Sequence, residues 1–130
     1  MRILVVDDNK ALTTSLGWLL QEHKFNIRVC HNGPACLETA ADFCPDVILL
    51  DIGLPVMDGF EVCRRLRDDP RFTDVRIVAQ TGYGDDVTVA RAAAAGFDVH
   101  MTKPVELSDL LDLLKTFGGG IDVGTDRPDA

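Results

Sequence analysis

Val47-Ile48-Leu49-Leu50-Asp51-Ile52-Gly53-Leu54-Pro55 is the stretch that decides how the rest of the chain is read. Four consecutive apolar residues stop at an acid, and Gly53, Pro55 and Gly59 then mark a loop. An apolar run without alternation is what a strand buried on both faces shows, so Val47 to Leu50 reads as a central strand with Asp51 at its carboxyl end.

Working outward, the same grammar recurs. Upstream, Arg2 to Val6 is a second continuous apolar run, and it also stops at acids, Asp7 and Asp8. From Asn9 the period changes: Leu12, Leu16, Leu19 and Leu20 recur at three- and four-residue spacing, with Trp18 among them, which predicts an amphipathic helix carrying Trp18 in the core. Gly17 inside it has no evident purpose and lowers helix propensity by about 1 kcal/mol relative to Ala. Ile27 to Cys30 is a short strand, Asn32-Gly33-Pro34 a turn, and Ala35 to Phe43 a helix before Pro45 resets the chain. Downstream, Phe60, Val62, Cys63 and Leu66 fit a helix ending near Asp69-Pro70. Val75 to Ala79 is a strand, Asp85 to Ala95 a helix closed by Gly96, Phe97 to Met101 a fifth strand, and Glu106 to Phe117 a last helix.

Strict alternation of strand and helix requires crossover connections, hence an open α/β parallel sheet covered by helices on both faces. One domain is expected over residues 1–117. Residues 118–130, beginning Gly118-Gly119-Gly120 and rich in acids, have no apolar period and read as a flexible tail or a cut linker.

Composition narrows the function. With 46% hydrophobic and 26% charged residues the chain matches an ordinary globular domain. A formal charge of -8 would repel a phosphodiester backbone, and no basic run offsets it, so direct nucleic-acid binding is not expected. The apolar runs are too short to cross a bilayer and follow no leader, which gives an expectation of a cytoplasmic protein with no membrane partner. Cys30, Cys36, Cys44 and Cys63 show no C-x-x-C spacing and read as reduced, mostly buried thiols. His23 and His31 read as solvated side chains.

Ligands of an open parallel sheet bind beyond the carboxyl ends of its strands. Here those ends carry Asp7 and Asp8, Asp51, Thr81 and Lys103. Three acids gathered there repel one another unless positive charge sits among them, which implies a metal. An oxygen-only ligand set suits a hard cation, and Mg2+ is the choice over Zn2+. An ionised carboxylate can attack phosphorus without a base, and the acid ending the central strand, Asp51, is best placed to do so. Mg2+ and Lys103 would supply charge to the phosphoryl oxygens while Thr81 donates a hydrogen bond. Each motif alone has a plainer reading: Asp7, Asp8 and Asn9 are all good helix caps, Asp51 with Gly53 and Pro55 is turn chemistry, and Lys103 before Pro104 is a solvated lysine. The plain readings must all hold at four strand ends at once.

Val5-Val6-Asp7-Asp8, Leu50-Asp51-Ile52-Gly53-Leu54-Pro55-Val56-Met57-Asp58-Gly59, Thr81-Gly82 and Lys103-Pro104 together resemble a bacterial response-regulator receiver domain, from about Arg2 to Phe117. The resemblance implies a flavodoxin-like (βα)5 sheet of order 2-1-3-4-5 and a cis bond before Pro104. It implies Asp51 as phosphoacceptor, direct metal contact from Asp8 and Asp51, water-mediated contact from Asp7, and the Gly53 carbonyl as a further ligand. It also implies Lys103 on the phosphoryl oxygens and, as phosphodonor, a histidine kinase or histidine phosphotransfer protein. Such a domain is a signalling phosphoacceptor, not an enzyme acting on a separate substrate. By the same resemblance the first helix meets the kinase and the face from the fourth to the fifth helix carries output.

Two positions depart from the family pattern. His100 replaces the usual Tyr or Phe, so an imidazole in place of an aromatic ring would move toward Thr81 on phosphorylation. With the Gly82-Tyr83-Gly84 loop, it makes the chain most similar to receivers attached to hybrid histidine kinases, against the alternative of a stand-alone regulator. Gln80 stands where an apolar residue is usual and would strain the fourth strand if buried without a partner. Gly53 and Tyr83 flank the site and set access of water to an acyl phosphate. The nearest enzymatic alternative is a haloacid-dehalogenase-type Mg-dependent phosphatase. Its nucleophile follows the first strand in an Asp-x-Asp pattern, whereas Asp7-Asp8-Asn9 lacks the second acid.

Overall fold

Alternating strands and helices wind into one open sheet. A computed structural model of the chain describes residues 1–82 and 84–118. The elements in order are β1 (Arg2–Val6), α1 (Lys10–Glu22), β2 (Asn26–Cys30), α2 (Gly33–Phe43), β3 (Val47–Asp51), α3 (Gly59–Arg67), a 3-10 turn (Pro70–Phe72), β4 (Arg76–Thr81), α4 (Asp86–Ala95), β5 (Val99–Thr102) and α5 (Leu107–Phe117). The strand order is β2-β1-β3-β4-β5 and every pairing is parallel. This is the flavodoxin-like arrangement that the resemblance implied. Tyr83 and residues 119–130, the greater part of the proposed tail, lie outside the described residues.

Period-two alternation divides the apolar residues between two cores. Leu4, Val6, Ile48, Leu50, Ile77 and Ala79 meet Cys36, Val62, Leu66 and Ala92 of α2, α3 and α4. On the other face Ile3, Val5, Val47, Leu49 and Val78 meet Leu16 and Leu20 of α1 and Leu110 and Leu114 of α5. All five residues of β3 are buried, which is why the four that precede Asp51 are apolar without interruption.

Side-chain caps set the helix starts. Asn9 accepts from the Leu12 N–H at 3.0 Å, Asn32 from the Ala35 N–H at 2.8 Å and Asp58 from the Glu61 N–H at 3.0 Å. The cap of α1 is therefore Asn9, and Asp7 and Asp8 are left for other work. The α2 helix begins at Gly33 rather than Ala35, with Pro34 in its first turn, where a missing N–H costs nothing. At the other end of the sheet, Arg67 donates to the carbonyls of Gly96, Phe72 and Val75 and pairs with Asp98 at 2.7 Å, tying α3 to the strands that follow.

Several expectations need correction. Trp18 is 72% exposed, not core. The buried stripe of α1 is Thr13, Leu16, Gly17 and Leu20, and Trp18 lies one step of about 100° beyond it. Leu12 and Leu19 are also largely exposed. Gly17 has a place after all, for it faces β2, where an added Cβ would lie 3.5 Å from Ile27. His31 is not simply solvated: its Nε2 is hydrogen-bonded with the Oγ1 of fully buried Thr13 at 3.2 Å, and that hydroxyl also donates to the Lys10 carbonyl. The fourth strand runs to Thr81, two residues past its predicted end. Cys30, Cys36 and Cys63 are free and buried, and burial pushes the Cys36 thiol up to about 12 and that of Cys63 to about 11, leaving both inert. Cys44 is exposed.

Candidate functional site

The carboxyl edge of the sheet gathers the side chains singled out at the strand ends. Asp7 follows β1, Asp51 closes β3, Thr81 closes β4 and Lys103 follows β5. Asp7, Asp51 and Thr81 are buried and Asp8 is exposed. Asp7 is held at three points: its N–H donates to the Cys30 carbonyl at 3.1 Å, its Oδ1 accepts from the Asn9 N–H at 2.9 Å, and its Oδ2 accepts from Lys103 Nζ at 2.8 Å. Asp51 Oδ1 accepts from the Gly53 N–H at 3.1 Å and lies 3.3 Å from the same Lys103 Nζ.

The backbone around Asp51 is held on both sides. The Ile52 N–H donates to the Gln80 carbonyl and the Gly59 N–H to the Ile52 carbonyl. Gly59 is a support that sequence reading missed, although a glycine directly after the cap of α3 was the available signal. A Cβ there would lie 2.5 Å from the Asp51 carbonyl oxygen and 2.7 Å from Ile52 Cα, so the close return of the chain onto the end of β3 admits only glycine. Lys103 is placed by its own N–H, which donates to the Thr81 carbonyl at 2.7 Å, and the peptide joining it to Pro104 is cis.

Charge is unbalanced at this edge. One carboxylate oxygen each from Asp7, Asp8 and Asp51 lie within 4.8 Å of one another, and the Lys103 ammonium pairs with two of these acids, Asp7 and Asp51. Burial pushes the Asp51 carboxyl above the ordinary carboxylate range; the Gly53 N–H pulls it down, Asp7 pushes it further up and Lys103 pulls it down, and the upward causes win. For Lys103, burial pulls the ammonium down, but the hydrogen bond to Asp7 and the charge of Asp51 outweigh it and hold the group above its usual value. Three converging carboxylates that one lysine cannot neutralise are a donor set that fits a hard divalent cation such as Mg2+.

The remaining sequence-predicted residues are less tightly gathered. His100 is half-buried in β5 opposite Ala79, on the sheet face it shares with Thr81 by the alternation of β4. Gly53 contributes its N–H to Asp51, and a Cβ on it would meet only Asp51 Oδ1 at 3.8 Å. Gln80 is 2% exposed and, among the described residues, its Nε2 has no hydrogen-bond partner, which meets the condition under which it would strain the fourth strand.

Residues 3–115 match the family described as the response regulator receiver domain. Response regulator PleD of Caulobacter vibrioides is 40% identical over 108 residues, covering 81% of this chain and 23% of PleD. Response regulator MprA of Mycobacterium avium is 36% identical over 111 residues, covering 85% of this chain and 48% of MprA. The chain thus spans about a quarter to a half of these curated relatives. Among solved structures, a two-component response regulator from Clostridium difficile superimposes with a TM-score of 0.86 at 25% identity, covering 95% of this chain and 99% of that one. The signal receiver domain of a histidine kinase from Syntrophus aciditrophicus does so with a TM-score of 0.83 at 26% identity, covering 97% and 96%. The family match leaves the phosphatase alternative without support. With this sheet order, this cluster at its carboxyl edge and a family match over most of its length, the chain belongs to the response regulator receiver domains.

Proposed function

We propose that the chain is a phosphoacceptor of a two-component or phosphorelay system that takes a phosphoryl group on Asp51 from a histidine kinase or histidine phosphotransfer protein. The observation that carries this reading is the Asp51 carboxylate itself: buried at the end of the central strand, 3.3 Å from Lys103 Nζ, and clustered with Asp7 and Asp8. In the transfer, an Asp51 carboxylate oxygen forms a bond to phosphorus as the phosphorus–nitrogen bond of a phosphohistidine breaks, and the imidazole leaves with the nitrogen's electron pair. The attacking group is already anionic and needs no base.

Asp7, Asp8 and Asp51, with the Gly53 carbonyl, would hold Mg2+. When bound, the ion supplies positive charge to the phosphoryl oxygens. The chain's own residues do the rest. Lys103 is held over Asp51 by Asp7, so its ammonium is already oriented toward the oxygens that arrive. Thr81 offers its hydroxyl to the phosphoryl group, and His100 follows it, repacking the surface between α4 and α5. Gly53 and, outside the described residues, Tyr83 set access of water to the acyl phosphate. The activity is that of a phosphoacceptor with no separate substrate, working in the cytoplasm. Among the described residues no helix is long and apolar enough to cross a membrane.

The test is to incubate the protein with acetyl phosphate, with Mg2+ or with EDTA, and to measure intact mass. Wild type should gain one phosphoryl group only with Mg2+, and Asp51→Asn none; labelling that survives Asp51→Asn would sink the assignment. For His100, NMR of His100→Ala should show the phosphorylation-dependent shifts in α4 and β5 reduced; an unchanged pattern removes His100 from the switch.

A further inference from the structure

Two glycines leave no room for a side chain against the loop that joins β3 to α3. One is Gly59, seated on the Asp51 carbonyl and Ile52 Cα. The other is Gly33, buried at the start of α2. A Cβ on Gly33 would lie 2.9 Å from Val62 Cγ2 and 3.1 Å from both the Cβ and the Sδ of Met57. No positive φ calls for glycine there, so space alone does. The loop is thus closely packed against the end of β3 on one flank and against α2 on the other.

Beside Met57 the backbone is strained. The Met57 N–H donates to the Pro55 carbonyl at 2.7 Å, and Val56 between them has a φ of 68°. A hydrogen bond closed around one residue of positive φ is the rare form of γ-turn, and a β-branched residue is poorly suited to it. Packing offers no compensation, for the Val56 side chain is fully exposed. Such a conformation persists only where its surroundings hold it. Leu54 is held by burial on one side. On the other, Met57 packs on the core shared by α2 and α3, with its sulfur against Gly33.

We infer that Gly33 is a positioning residue for Asp51: its bare Cα is the seat of Met57, and a seated Met57 keeps Gly59 against the carboxyl end of β3. The link is short. Only Asp58 separates Met57 from Gly59, and because it is fixed as the cap of α3 a shift of Met57 is passed on rather than absorbed. The Gly59 N–H in turn bonds the Ile52 carbonyl at 2.9 Å. A methyl group at position 33 must displace something. Val62 is fully buried, whereas Met57 is half-buried and can move toward solvent, so the loop yields and not the core. The movement reaches Asp51 through Gly59, where there is no slack. The inference rests on the phosphoacceptor reading, because what is positioned is the attacking carboxylate, and misplacing such a group by an ångström costs about a hundredfold in rate.

The test makes two measurements on the full chain. In the first, the initial rate of acetyl phosphate labelling is taken at saturating Mg2+, well below the melting temperature of each variant. Gly33→Ala and Met57→Ala should each slow labelling at least about tenfold, with the double variant no slower than the slower single. Met57→Leu, of similar volume, should recover most of the rate. A merely structural role lowers the melting temperature and leaves this rate unmoved, which overturns the inference. So do losses that multiply in the double variant, or a rate restored to Gly33→Ala by Val62→Ala, since the methyl group would then act through α3. In the second, melting is followed in EDTA. Val56→Asn, which tolerates a positive φ, should raise the melting temperature of the wild type and raise that of Gly33→Ala much less, because there the turn has already relaxed. An equal rise in both backgrounds overturns the seat at Gly33. A wild type that takes no label removes the phosphoacceptor reading and with it the part of Gly33 in the reaction. Labelling of the wild type and of both variants at one rate rejects the positioning role alone.

Discussion

Asp51 is a carboxylate that its own fold holds above its ordinary pKa, and the sign of that shift has a measurable effect on stability. Burial is the largest cause, and Lys103 and the Gly53 N–H do not fully offset it. The folded pKa therefore exceeds the unfolded value of 3.8, so as pH rises from below 3.8 the unfolded chain releases its proton first and stability falls. The penalty is complete once pH passes the folded pKa and is present at neutrality. In EDTA, Asp51→Asn should thus melt higher than wild type at pH 7, with the difference fading below pH 3.8. A melting temperature equal to or below that of wild type at pH 7 would contradict the account. The acids were legible at this scale because each ends an apolar run, where a parallel sheet presents its side chains. The ion pair of Lys103 with Asp7 was not, because it depends on how the turn after β5 folds back over β1, and nothing local to either residue reports that.

Among the elements, β1 and β3 were readable from sequence since a strand covered on both faces needs apolar residues without interruption, and little else satisfies a run such as Val47 to Leu50. The α1 helix was harder. Its leucines mark a helix correctly, but Leu12 and Leu19 are surface residues and Trp18 lies outside both cores, so its apolar period overstates the buried stripe. The C-terminal part of β4 was missed because Gln80 interrupts the apolar run; its pairing with Asp51 and Met101 keeps it in the sheet regardless of side chain. Gly17 offers a test of the helix. A Cβ there would find only ordinary contacts, 3.5 Å to Ile27 and 3.6 Å to Val29, and no positive φ requires glycine. Gly17→Ala should therefore stabilise the protein by about 1 kcal/mol in urea unfolding, the propensity difference. Destabilisation would show that α1 and β2 lie closer than these distances allow.

For the whole molecule, the edge that carries the acids is stabilised poorly by the protein alone, and a cation should tighten the folded state. At a Mg2+ concentration 100 times its dissociation constant, binding to the folded chain only would raise stability by about 2.7 kcal/mol. Asp8→Asn should fold as wild type does, since Asp8 is exposed, yet lose most of the Mg2+-dependent rise in melting temperature. An undiminished rise would place the ion elsewhere. Two stacked cores and a parallel sheet keep Asp7, Asp51 and Lys103 in contact across more than ninety residues of sequence, |i−j| being 96 for Lys103 and Asp7, and that closure is what turns separate strand-end residues into one site.

The identity of the atom that receives phosphorus decides whether Asp51 is the acceptor. After acetyl phosphate labelling with Mg2+, borohydride reduces an aspartyl phosphate to homoserine, and peptide mass spectrometry then locates the change. Homoserine is expected at position 51 and at no other acid, in proportion to the phosphoryl incorporated. Homoserine at Asp7 or Asp8, or a stable phosphate on a serine, threonine or histidine with Asp51 intact, would contradict it.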